Sequence, residues 1–106
     1  MLTSKKEHEI ICQLFERYEA LINIHSEKMQ ANSSECSALS LASLCAEAIS
    51  NGMDYPFDKL NRWLGFIQGV LTMNSIITVA DEREFTRPIL HALHEHKIPT
   101  FDSSNK

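Results

Sequence analysis

Glycine, proline and cysteine are all scarce in this chain, with three of each among 106 residues. Few glycines and prolines leave few sites for tight turns, which argues against a many-stranded fold and for a handful of helices. Cys12, Cys36 and Cys45 show no C-x-x-C spacing, and an odd count fits reduced, largely buried thiols better than a disulfide framework. No apolar run approaches the roughly 20 residues that span a bilayer. The stretch Met1 to Glu9 lacks the apolar segment of a signal peptide, so a cytoplasmic protein with no membrane partner is expected. Basic residues are outnumbered 10 to 14, a net charge of −4. That balance argues against a protein that holds nucleic acid mainly through its phosphates.

What remains is ordinary for a globular chain: 43% hydrophobic and 23% charged residues, enough for one core and against wholesale disorder. The expected organisation is one helical domain over residues 1–106, with 98–106 as a frayed tail. The cleanest apolar pattern lies in Asp58–Met73. Leu60, Trp63, Leu64, Ile67, Val70 and Leu71 recur there at three- and four-residue steps, one face of an α-helix. The fold class read from these signals is all-α, a compact bundle of four to five helices with the Asp58–Met73 helix central.

The flanking segments supply the partners. Ser4 and Glu7 form a capping box ahead of a stripe made by Ile10, Ile11, Leu14, Phe15, Tyr18, Leu21 and Ile22, running to about Met29. Ser33 or Ser34 is the expected cap of a second, Ser- and Ala-rich helix through Ile49, with Asn51-Gly52 as a left-handed stop. Pro56 suits the first turn of the third helix. Thr78 and Asp81 form a second capping motif, and Pro88 is expected to end or kink that last helix near Thr86 and start another.

Gly65 and Gly69 stand four apart in the third helix, with Asn61 one turn earlier on the same face. Each glycine costs about 1 kcal/mol against alanine in a helix interior, so close helix packing against Asn61, Gly65 and Gly69 is expected. Phosphate binding would need such glycines in a loop after a strand.

No catalytic residues and no cofactor are read from the sequence. His91 and His94 share a helix face and are the weak metal candidates. No neighbouring Cys or Asp completes a ligand set, and a solvated basic C-terminal turn accounts for them. Glu16 with Glu19, and Asp81 with Glu84, have the spacing of magnesium-holding carboxylate pairs, so a metal-dependent hydrolase is the alternative function. A solvated acidic face explains the same pairs. A helix-turn-helix regulator ranks third, because the last helix opens Asp81-Glu82-Arg83-Glu84, acids where a recognition helix presents basic groups. Arg62, Phe66, Arg83 and Arg87 are the candidate partner-binding residues, arginine and aromatics being favoured at binding hot spots. Pairing with Glu82, Glu84 or Asp58 is their structural alternative.

The stretch Asp58-Lys-x-x-Arg-Trp-Leu-Gly-Phe-Ile-Gln-Gly69, followed by Asp81-Glu-Arg-Glu-Phe-Thr-Arg-Pro88, resembles a pattern of small, uncharacterised proteins of tailed phages and prophages. It covers residues 54–91, and the N-terminal half carries no such resemblance. The pattern brings no activity with it. It implies a small accessory protein that binds and alters a bacterial host protein, inhibition of a defence system included. The leading expectation is thus a non-enzymatic protein–protein interaction module. A homodimer is compatible with a long amphipathic first helix in so small a domain.

Overall fold

The computed structural model describes residues 1–29 and 36–97, the last four as backbone. Four α-helices follow one another: α1 (Lys5–Ile24), α2 (Ala38–Asn51), α3 (Phe57–Met73) and α4 (Val79–Lys97). Among the described residues there is no strand, only one antiparallel bridge between Leu2 and Pro56. The all-α bundle is as the sequence implies. The tail 98–106 and the caps expected at Ser33 or Ser34 lie outside the described residues.

Local chemistry explains most boundaries. The Ser4 hydroxyl accepts from the Glu7 N–H at 3.1 Å, and the Glu7 carboxylate accepts from the Ser4 N–H at 3.0 Å. Both exchange orphan donors of the first turn for real partners. Helix α1 ends at Ile24, short of Met29, because the buried stripe is spent at Ile22 and Ile24 already faces solvent. The His25 N–H closes the helix on the Leu21 carbonyl at 3.0 Å. In α2 it is Ser37 that caps, accepting from the Ser40 N–H at 3.1 Å. Thr78 accepts from the Asp81 N–H at 3.1 Å, as its spacing predicts.

The two left-handed and glycine positions are exchanged relative to expectation. Gly52 is right-handed (φ −58°) and opens a short 3₁₀ turn, Gly52–Asp54. Its lack of a side chain answers a steric need instead, since a Cβ there would stand 2.6 Å from Cδ2 of His8. The left-handed residue is Ser75 (φ 60°), just past α3. There the Ile76 N–H reaches the Leu71 carbonyl and the Ser75 N–H the Thr72 carbonyl, both at 3.0 Å. This is a Schellman closure built without glycine.

Pro88 neither ends α4 nor starts a new helix; Val79–Lys97 is one helix with Pro88 inside it. Pro88 and Glu84 are both exposed, so the Glu84 carbonyl that loses its N–H partner can turn to water.

The core is built from one stripe of each helix. From α1 come Ile11, Leu14, Phe15, Tyr18 and Ile22. Helix α2 adds Leu41, Cys45 and Ala48, and α3 adds Leu60, Leu64, Ile67 and Leu71. Each large apolar side chain so buried is worth about 1.5–3 kcal/mol. Helix α1 packs against each of the other three and takes the central place expected of α3. The reason is visible in α3 itself: Asn61, Arg62, Gly65, Phe66, Gly69 and Met73 are exposed, so one whole side of that helix has no neighbour among the described residues.

Candidate interaction surface

Polar chemistry concentrates where α1, α3 and α4 meet. Tyr18 lies in the apolar stripe of α1 and is wholly buried, so its hydroxyl must find partners inside the protein. It donates to the Glu82 carboxylate and accepts from Nε2 of Gln68 at 2.8 Å. Arg17, one residue earlier, grips the same carboxylate with two bonds, Nε at 3.1 Å and a terminal nitrogen at 3.0 Å. Its guanidinium also lies 4.0 Å from the centre of the Phe85 ring, a cation–π contact. Glu82 occupies a core-facing position of α4 and is buried. A carboxylate so placed is tolerable only because a charged fork and a hydroxyl saturate it.

The electrostatics follow. Burial first, then the bond to Glu82, push the Tyr18 hydroxyl above its usual range, while the bond from Gln68 acts in the opposite sense. The bond to Glu82 raises Arg17 further above neutrality. Tyr18 is therefore a neutral hydroxyl and Arg17 a fixed cation across the physiological range. The group is a lock between three helices.

Above this lock, α3 and α4 do not close on each other. A groove of about 310 Å³ separates them. Its floor includes Gln68, Glu82 and Ile77; its walls are Thr72 on α3 and Val79, Arg83, Thr86 and Leu90 on the α4 side. On the opposite flank of α4 a shallower hollow involves Gln13 of α1 with Phe85, Pro88 and Ile89.

A second polar cluster joins α1 to α2. His8 Nε2 lies 3.0 Å from the Ala48 carbonyl and 3.2 Å from the Cys12 sulfur. Cys12 is raised to about 11 by burial and then by Glu16, and Cys45 to about 12 by burial and then by Glu19. All three cysteines are free thiols. Cys12 and Cys45 stay protonated at neutral pH, which makes them poor nucleophiles. Trp63, expected in the core, is half-buried at its edge, packed edge-on against Tyr55 with centroids 5.0 Å apart. Tyr55 in turn donates to Glu47 at 2.5 Å.

The residues singled out in the sequence are dispersed. Arg83 lines the groove. Arg62 and Phe66 lie four apart on the outer side of α3, both exposed. Arg87 is exposed and pairs with Glu84 at 3.3 Å. The expected close packing at Asn61, Gly65 and Gly69 does not occur among the described residues: all three are exposed, and a Cβ on either glycine would meet nothing within 4 Å. His91 is exposed on α4, and the side chain of His94 lies outside the described residues. Among the described residues no three His, Cys, Asp or Glu side chains cluster as a metal site. Nor is any described helix long and apolar enough to cross a membrane.

Sequence reading missed Arg17, Tyr18 and Gln68. The available signal was a tyrosine within an apolar stripe of α1 and a glutamate on the inner face of α4, two buried polar groups that each needed a partner. Comparison with protein-family models, with curated proteins and with solved structures finds no match to this chain.

Proposed function

We propose that the chain is a non-enzymatic interaction module that works through the side of the bundle formed by α3 and α4. One observation carries the reading. Large apolar side chains stand in solvent along these two helices: Met73 at 87% exposure, Val79 at 59%, Leu90 at 46% and Phe66 at 43%. Single exposed apolar residues need no explanation, but Val79 and Leu90 line the groove while Phe66 and Met73 stand on the exposed side of α3, and such a group on two successive helices marks a binding surface. Arg62 and Arg83 add charged, hot-spot-type side chains to the same two helices. The phage and prophage pattern carried by α3 and α4 supplies the setting. In it the chain acts as an inhibitor or regulator of a bacterial host protein, a defence system being one such target, inside the cytoplasm.

The reading is tested by affinity capture from bacterial lysate with the tagged chain. The expected result is one stoichiometric protein, retained by Leu39→Asp on α2 and lost on Phe66→Asp or Val79→Asp. Leu39 is apolar and even more exposed, at 78%, but sits on another helix. Capture that survives both α3–α4 variants would refute the assignment of this face.

A further inference from the structure

The α3–α4 groove has a shape and a charge that define its occupant. Val79, Arg83, Thr86 and Leu90 follow one another along α4 at steps of four, three and four residues, a row of about three turns and ~16 Å. The row faces Thr72 and Gln68 of α3 across the gap. Apolar surface comes from Ile77, Val79 and Leu90. The charge balance is one-sided. Glu82, the acid on the floor, is neutralised by two bonds from Arg17 and one from Tyr18. Among the described residues Arg83 makes no ion pair, and the acids Asp81 and Glu84 project to other sides of α4 by helical spacing. The lip therefore carries one uncompensated guanidinium in an otherwise neutral, half-apolar channel.

Resting on the interaction reading above, we propose that this groove receives a three-turn amphipathic helix of the partner protein. Apolar side chains of that helix, spaced three and four apart, lie against Ile77, Val79 and Leu90. A side-chain carboxylate on its flank meets Arg83. A helix fits because a three-turn row on α4 offers matching ridges and grooves. An added strand would need an open sheet edge, and no strand exists among the described residues.

The test selects helical peptides of about three turns from a displayed random library, with the full chain as bait. The highest-ranked peptide is then synthesised and its affinity measured. Enrichment of Asp or Glu beside apolar residues at three- and four-residue spacing is expected. Binding of that peptide should fall about tenfold on Arg83→Glu, recover in part when its acid is exchanged for lysine, and vanish on Val79→Asp. Leu39→Asp on α2 should leave it unchanged. The altered residues are all exposed, and far-UV circular dichroism confirms that the variants are folded. Enriched peptides without an acid, no enrichment at all, or affinity indifferent to Arg83→Glu overturns the groove assignment. Peptides lost on Phe66→Asp alone overturn it too, yet leave the interaction reading standing on the outer side of α3. A wild-type dimer that Val79→Asp dissociates would show a second copy in the groove and equally refute a partner helix there. Failure of the lysate capture, in contrast, removes the interaction reading itself.

Discussion

Removing the Glu82 carboxylate should loosen α4 more than any other single polar change. In Glu82→Ala, Tyr18 keeps only the bond from Gln68, and Arg17 loses its sole ion pair among the described residues. The Glu82 side chain is 8% exposed and that of Arg17 32%, so water can reach the abandoned guanidinium but not readily the carboxylate's place. Breaking a buried pair from one side costs about 3–5 kcal/mol; with Arg17 partly hydrated, about 3 kcal/mol is the expected loss. Glu82→Gln keeps the shape but sets an amide NH₂ against guanidinium donors, for a loss of about 2 kcal/mol. Against a total of roughly 5–15 kcal/mol for a small domain, either change is large. Urea unfolding followed by circular dichroism and by Trp63 fluorescence gives the comparison. Glu84→Ala, which breaks the exposed pair with Arg87, is the control and should cost at most about 0.5 kcal/mol. A Glu82→Ala variant no less stable than Glu84→Ala would refute the reasoning. So would a double-mutant cycle of Glu82→Gln with Arg17→Met that shows no coupling.

Gly65→Ala and Gly69→Ala should each stabilise the isolated chain by about 1 kcal/mol, since nothing lies within 4 Å of either new methyl group; thermal melting should rise by several degrees, and a fall would mean the glycines pack after all. Gly52→Ala should destabilise by about 1–3 kcal/mol, because the new Cβ displaces the His8 ring from the Ala48 carbonyl; the loss should shrink in a His8→Ala background. Alkaline pH should weaken the fold in a defined order. The folded state holds the Cys12 and Cys45 protons to about 11 and about 12, above the ordinary 9.0. Unfolding therefore releases protons in that window, and stability is full below pH 9 and falls as pH rises through it. Urea midpoints at pH 7, 9 and 10 measure the decline, which Cys12→Ala combined with Cys45→Ala should flatten.

How much of this was legible in the sequence depends on whether a signal was local. The capping box at Ser4 and Glu7, the cap at Thr78 and the apolar stripes of α1 and α3 are decided within a turn or two of chain, and the structure reproduces them. Gly52 was misread because its reason is a neighbour 44 positions earlier, the His8 ring, rather than its own backbone angle. Pro88 does not end α4, because the cost of proline inside a helix depends on whether the freed carbonyl is exposed, which only the tertiary structure decides. Placing α3 at the centre came from its pattern. That pattern marks one buried face and is silent on what covers the other; the glycines and Phe66 turn out to lie on the uncovered side. The bonds of the Arg17–Tyr18–Gln68–Glu82 lock span 50 to 65 positions of chain, and no spacing rule links their ends. Of the surface residues proposed from the sequence, Arg83 alone lines the groove.

The central claim is that the α3–α4 side of the bundle meets another protein. Its most direct test places a photo-crosslinking phenylalanine analogue at Val79 in the full chain, expressed in bacterial cells, with the same analogue at Leu39 as reference. The account predicts one discrete crosslinked species from Val79, identified by mass spectrometry and absent from Leu39. Identical crosslinking at both positions, or none at Val79, would contradict it.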